Sequence, residues 1–258
     1  MSNVPDAPPD PSSARPSDPA ESRSDGSGAM FDRIAGRYDL LNLVMTGGLD
    51  RRWRRRLVEA VVDATAPGDT ILDLATGTAD IAREILLRGP GRRVLGVDPS
   101  AGMLTRGAAK LATAGVSDRG RLLVGDGQLL PCADNSMAAA CCSFGIRNVP
   151  DRLQGLRELA RVVRPGGLIA ILEASEPRDG VLAPLARWHL HRVVPRLGRW
   201  LAGDNAYAYL ERSVEAFPGP EEFSALMRQA GLVEVHVRRQ SFGVAQIFLG
   251  RSAGEEIR

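Results

Sequence analysis

Three carboxylates, Asp73, Asp98 and Asp126, each close a short apolar run, and each is followed at once by small or turn-forming residues. The first run reads Ile71-Leu72-Asp73-Leu74-Ala75-Thr76-Gly77-Thr78-Ala79-Asp80, the second ends Gly96-Val97-Asp98-Pro99-Ser100, and the third ends Val124-Gly125-Asp126-Gly127. Carboxylates so placed can accept hydrogen bonds from hydroxyls and amines. Asp98 follows the first loop by about 20 residues, the spacing at which an acid holds the ribose of a nucleotide. A residue with no side chain at Gly77 lets a ligand approach the backbone closely. The loop is not G-x-G-x-x-G, and acids at 73 and 80 flank it, which ill suits a pyrophosphate seated on helix amides. Acidic flanks suit a ligand bearing an ammonium and a sulfonium, and so point to S-adenosyl-L-methionine. Asp126 then lies where the adenine amino group would sit. Any one of these acids reads equally well as a helix N-cap or a solvated turn. Three in register at successive strand ends are much harder to explain that way. Asp98 and Asp126 are expected to touch the adenosine, whereas Asp73 is expected to support the loop.

The elements that position these acids follow from the rhythm of the chain. Apolar runs at Thr70–Leu74, Arg93–Val97, Gly120–Val124, Met137–Phe144 and Leu168–Glu173 read as strands. Between them Asp80–Leu87, Met103–Ala114 and Leu153–Val163 read as helices, and Pro67-Gly68-Asp69 and Pro165-Gly166-Gly167 punctuate the text. Strand–helix alternation predicts a parallel sheet with right-handed crossovers. A helix over Pro220–Ala230 and two strands, Val233–Arg239 and Ala245–Leu249, complete the pattern as an antiparallel hairpin at the sheet edge. The fold class is therefore α/β: a doubly wound, mostly parallel seven-stranded sheet, with N-terminal helices and a helical insertion before the last two strands. In such sheets ligands bind beyond the carboxyl ends of the strands.

The chain has 258 residues, of which 44 % are apolar and 25 % charged, and a net charge of +2. Those proportions describe an ordinary globular protein, and the charge gives no global field for nucleic acid. Residues 1–28, rich in Pro, Ser, Asp, Gly and Ala, cannot bury enough apolar surface to order themselves and read as a disordered tail without chemistry. A single domain over 29–258 remains, interrupted at about 178–215 by the insertion. Cys132, Cys141 and Cys142 form no disulfide framework, and a reduced buried thiol is the plain reading for the adjacent pair. No secretory signal and no spanning segment is present, which predicts a cytoplasmic protein. His189-Leu-His191 lacks metal-site spacing and a third ligand, so no metal is expected.

More specific text lies elsewhere. Asp73-Leu-Ala-Thr-Gly-Thr-Ala-Asp80, Ser143-Phe-Gly-Ile-Arg-Asn-Val149 and Arg161-Val-Val-Arg-Pro-Gly-Gly167 resemble the class I methyltransferases of quinone biosynthesis. The likeness is closest to the demethylmenaquinone / 2-polyprenyl-6-methoxybenzoquinol C-methyltransferase family and covers about residues 29–250. Phe31-Asp-Arg-Ile-Ala-Gly-Arg-Tyr-Asp-Leu-Leu-Asn42 and the stretch from Val194 to Pro218 agree with it. The resemblance implies that Thr78, Asp98, Asp126, Gly127 and Ser143 bind the donor. It also implies that Arg147 and Asn148 serve the acceptor. Tyr38, Asp39 and Asn42 then lie on an N-terminal helix that closes over the donor. One departure stands out: the family usually carries His where this protein has Asp50, which removes a group that titrates near neutral pH.

On this resemblance the protein transfers a methyl group to a ring carbon of a polyprenylated quinol. Deprotonating a ring hydroxyl raises electron density at the ring carbon that takes the methyl group. Arginine does not readily lose a proton, so Arg147 is expected to stabilise the phenolate and orient a water, while Asn148 holds the hydroxyl or that water. A bracing pair between Arg147 and Asp80 or Asp39 is the competing reading. Trp53 and the arginines around it read as a solvated face. The insertion from Val181 to Leu201 mixes arginines, two tryptophans and aliphatics without an acid. It reads either as an interfacial element in transient contact with the membrane surface or as a lid over the substrate. Naphthoquinol is favoured over benzoquinol, and another small aromatic or lipid acceptor is the second reading. A non-catalytic donor- or lipid-binding protein is the third. The expected partners are the quinol, the inner membrane face and, compatibly, a second copy of the protein; nucleic acid is not among them.

Overall fold

A computed structural model describes residues 46–175 and 212–253. The tail 1–28, the positions Tyr38, Asp39 and Asn42, and the insertion up to residue 211 lie outside the described residues. The elements are α1 (Asp50–Asp63), β1 (Thr70–Leu74), α2 (Asp80–Arg88), β2 (Arg93–Asp98), α3 (Ala101–Thr113), β3 (Gly120–Val124), β4 (Met137–Ser143), α4 (Arg152–Val162), β5 (Val163–Ala174), α5 (Pro220–Gln229), β6 (Leu232–Gln240) and β7 (Ala245–Ser252). Short 3-10 turns at Ile146–Asn148 and Ser241–Gly243 follow β4 and β6.

The sheet has seven strands in the order β3-β2-β1-β4-β5-β7-β6. The first five are parallel, and β7 runs antiparallel between β5 and β6. The expected α/β class and seven-stranded sheet are what the protein adopts. The terminal pair forms the expected antiparallel hairpin at the sheet edge, with β7 joining the parallel strands and β6 outermost. Leu168 pairs with Ala139 and Val163 with Met137, so Arg164–Gly167 loop out of an otherwise continuous pairing. That loop is why strand β5 begins earlier than its apolar text.

Both faces of the sheet are covered, so its central strands are apolar at nearly every position. Ile71, Cys141, Ala170 and Leu172 pack beneath Trp53, Leu57 and Val61 of α1 and Ile81 and Ile85 of α2. Leu72, Cys142, Ile169, Ile171 and Phe248 point the other way, toward Leu156 and Leu159 of α4 and Phe223 and Met227 of α5. Trp53 corrects the expectation of a solvated face. It is 2 % exposed and its indole N–H donates to Ser241 Oγ at 2.8 Å. Trp53, Leu57 and Val61 repeat at helical spacing and turn one stripe of α1 inward, while Arg55 and Arg56 between them face out.

Candidate functional site

The site is built where β1 and β4 end side by side. Ala75, Gly77 and Ala79 all have left-handed backbones, with φ of 53°, 55° and 61°. For alanine this conformation costs about 1–2 kcal/mol per residue, strain of a kind that gathers at functional loops. Phe144, just past β4, is likewise left-handed at φ 57°. Beside it a Cβ on Gly145 would lie 2.4 Å from Ala75 Cβ, so only glycine lets the two strand ends approach so closely.

A small, open pocket is lined by Arg54, Asp73, Ala75, Thr76, Gly77, Thr78, Asp80, Ile81 and Ser143. Asp73 is 1 % exposed; it accepts from Thr76 Oγ1 at 2.6 Å and from Cys141 Sγ at 3.6 Å. Burial is the main reason its pKa is pushed up to about 6. Burial likewise pushes the Cys141 and Cys142 thiols up, which keeps both as neutral core groups. Asp98 sits one hydrogen bond from the pocket. Its Oδ2 accepts from the Gly77 amide and its Oδ1 from the Ser100 amide, both at 2.9 Å. Asp126 lies one strand further out, exposed, with Oδ1 accepting from the Gln128 amide. Gly127 is buried against Leu74 and Val149.

Of the sequence-derived positions, therefore, Asp73, Gly77, Thr78 and Ser143 share one pocket wall, and Asp98 adjoins it. Arg147 and Asn148 stand in the turn that follows Ser143 but do not line the pocket. The Arg147 guanidinium pairs with the fully buried carboxylate of Glu173 at the end of β5, and its backbone amide donates to the same side chain. Asp80 has other partners: Arg54 Nη1 at 3.3 Å and Lys110 Nζ at 2.7 Å. Lys110 also donates to Thr78 Oγ1 at 2.7 Å.

Three residues of this assembly were not singled out from sequence. Glu173 ends an apolar run as Asp73 and Asp98 do, and the same rule of acids at strand ends would have found it. Arg54 hides in a run of arginines, where only the helical phase set by Trp53 and Leu57 marks it as inward. It bridges Asp50 at 3.4 Å and Asp80. Phe144 gave no signal, yet the Arg54 and Arg147 guanidinium carbons lie 5.7 and 6.0 Å from its ring centroid. Its left-handed backbone is a property of the fold and not of its type.

Two features of the pocket are ones that a bound S-adenosylmethionine would answer. Ser143 Oγ is buried with no hydrogen-bond partner among the described residues, and a Cβ on Gly77 would meet only open space. A donor supplying a hydroxyl or amine would satisfy the first, and its bulk would fill the second. The ubiE/COQ5 methyltransferase family matches residues 20–252. The chain belongs to that family.

Relatives agree with this. A Geobacter sulfurreducens protein named ubiquinone/menaquinone biosynthesis C-methyltransferase UbiE is 40 % identical over 222 residues, covering 86 % of each chain. A Thermus thermophilus protein named demethylmenaquinone methyltransferase is 42 % identical and covers 86 % of this chain and 99 % of its own. Among solved structures, a SAM-dependent methyltransferase from Thermotoga maritima shares the fold at TM-score 0.57 and 20 % identity, covering 87 % of this chain and 99 % of its own. As a ubiE/COQ5 family member the protein is a methyltransferase with S-adenosylmethionine as donor, in agreement with the expectation from its strand-end acids.

Proposed function

We propose that this methyltransferase C-methylates a polyprenylated quinol, converting demethylmenaquinol to menaquinol. The observation that carries the reading is the juxtaposition of the pocket at the ends of β1 and β4, where the Ser143 hydroxyl has no partner among the described residues, and the Arg147-Asn148 turn immediately beyond that serine. The donor brings a methyl carbon made electrophilic by its sulfonium. Asp98 binds the ribose hydroxyls and Asp126 the adenine amine, with Thr78, Gly127 and Ser143 completing the cradle. Asp73 holds the loop through Thr76, and Gly77 leaves it room. Arg54 is the pocket's cation: Nη2 has no acceptor among the described residues, and it is offered the donor's carboxylate.

On the acceptor side, Arg147 stabilises the phenolate formed as the quinol loses its proton, and Glu173 fixes the guanidinium where that charge develops. Asn148 orients the hydroxyl or a water that takes its proton. Tyr38, Asp39 and Asn42 close over the donor as a lid. We assign residues 1–28 to a tail without chemistry and 29–258 to the catalytic domain, with the insertion at 178–215 facing the substrate. The enzyme works in the cytoplasm at the inner membrane face, alone or as a homo-oligomer.

Calorimetric titration, followed by an assay of both quinols, tests the reading. S-adenosylmethionine is expected to bind and NAD not to bind. A decarboxylated donor analogue should bind more weakly to the wild type but no more weakly than S-adenosylmethionine to Arg54→Ala. Demethylmenaquinol should turn over; turnover confined to the methoxybenzoquinol would overturn the ring assignment, and NAD binding the whole reading.

A further inference from the structure

The arginine run of α1 is not explained by the donor pocket or by stability. Arg51, Arg52, Arg55 and Arg56 crowd into the first two turns of the helix and are all exposed, whereas the acids on its outer face, Glu59 and Asp63, come only in the last two. The amide end of a helix carries partial positive charge, so cations there oppose the helix dipole. Arg51, Arg52 and Arg55 also have no counter-ion among the described residues.

The neighbouring surface is unusual in a second way. Trp53 bonds to Ser241, and Arg56 donates to Gln240, which fastens the start of α1 to the β6–β7 turn. In that turn Ser241, Phe242 and Gly243 are left-handed in succession, with φ of 41°, 60° and 91°. The turn holds Phe242 67 % exposed, and Leu49, at the cap of α1, is 45 % exposed. A protein that strains its backbone to display a phenylalanine near arginines with no counter-ion among the described residues is not optimising its own fold. Because Ala245 pairs with Ala174 at the carboxyl end of β5, the turn stands at the same end of the sheet as the donor pocket.

We propose that the first two turns of α1, with Leu49 and Phe242, form the surface by which this enzyme docks on an anionic bilayer, presenting the catalytic end of the sheet to the lipid. The inference rests on the reading of the acceptor as a polyprenylated quinol. The arginines answer the anionic headgroups, and the two apolar side chains enter the interface, a pairing typical of peripheral membrane elements. Nucleic acid would match the charge but leave Phe242 and Leu49 without an environment.

The full-length protein is sedimented with phosphatidylcholine vesicles, with and without phosphatidylglycerol. The wild type should bind the anionic vesicles much the more tightly, and added salt should weaken that binding. Each arginine neutralised should cost about fivefold in partitioning, so that Arg51→Gln, Arg52→Gln and Arg55→Gln together cost roughly a hundredfold. Phe242→Ser should cost about tenfold, and replacing the three arginines by lysine should keep wild-type binding. All variants should retain wild-type turnover of a water-soluble quinol with a short prenyl tail, which reports their folding, while turnover of a long-tailed quinol held in anionic vesicles falls with binding. Undiminished vesicle binding by the triple glutamine variant would overturn the proposal, as would displacement of the wild type from vesicles by an equal charge of RNA. Failure of the wild type to methylate the soluble quinol would instead strike the substrate reading and leave vesicle binding as it is.

Discussion

Asp73 is the buried carboxylate whose environment works against its charge, and that makes it measurable. Its pKa of about 6 lies above the ordinary 3.8, so the folded protein holds this proton more tightly than the unfolded polypeptide does. The stabilisation is complete below the unfolded value and is lost as pH rises through about 6, a change of about 3 kcal/mol. Asp69, held down by the Ala66 amide, and Glu158, held down by Arg161, pull the opposite way. The quantity to measure by urea unfolding is therefore the difference between wild type and Asp73→Asn, which should fall across this interval. Donor binding should tighten over the same interval in the wild type alone, because a cationic ligand favours the ionised acid. Equal profiles in the two proteins would show that the pocket does not sense this group. Arg147 poses the complementary problem, because truncating it strands the buried Glu173 carboxylate. Arg147→Ala should lose about 3–5 kcal/mol of stability, and Arg147→Ala with Glu173→Gln should regain most of it. The double variant should bind donor normally and turn over quinol at least a hundredfold more slowly, the size of a lost charge stabiliser. Normal turnover by that variant would leave Arg147 as a brace for the turn.

At the scale of elements, the site depends on how closely two strand ends approach, and two glycines test this separately. Gly145→Ala would force Cβ atoms together across β1 and β4, so it should both destabilise the fold and weaken donor binding. Gly77→Ala meets nothing within 4 Å among the described residues and should cost only about 1–2 kcal/mol for its left-handed backbone, yet it should weaken the donor at least tenfold. Thermal melts and donor titration separate the two; strong destabilisation of Gly77→Ala without loss of donor binding would count against a ligand over that loop. The same elements show what the sequence could reveal. Strand β1 was legible to its ends because a central parallel strand is apolar at nearly every position and stops at a turn. Strand β5 was not, because Arg164–Gly167 read as a break although Val163 already pairs with Met137. Asp73, Gly77, Thr78 and Ser143 meet as strand order and resemblance predicted. The partner of Arg147 was missed because Asp80 and Asp39 are nearer in motif, whereas Glu173 is nearer through the β4–β5 pairing. Trp53 was misread for a related reason: its neighbours are all arginines, and only the helical stripe it shares with Leu57 and Val61 turns it inward.

Seen whole, the described part of the molecule has a working end and a structural end. The pocket lined by Asp73, Gly77, Thr78 and Ser143, the Arg147 turn, the start of α1 and the strained β6–β7 turn all lie beyond the carboxyl ends of the parallel strands. The opposite end carries the outlooped Arg164–Gly167 and the Pro67–Gly68 turn, joined through the Arg164–Asp69 ion pair at 3.1 Å. Among the described residues, the two apolar layers on either side of the sheet are built from residues between Trp53 and Leu249. If residues 1–28 contribute nothing to either layer, as their Pro- and Ser-rich composition implies, a protein begun at residue 29 should melt within about 2 °C of the full-length one, a shift of under roughly 1 kcal/mol at this size. Its donor affinity should be equal too. The family match begins at residue 20, which makes the comparison informative, because residues 20–28 are included in the family yet poor in apolar side chains. A second truncation, begun at residue 20, separates the two segments. Were only the shorter protein to lose donor affinity, residues 20–28 would belong to the lid that Tyr38 and Asn42 are proposed to form. Loss in both would give the leading residues a role that their composition does not announce.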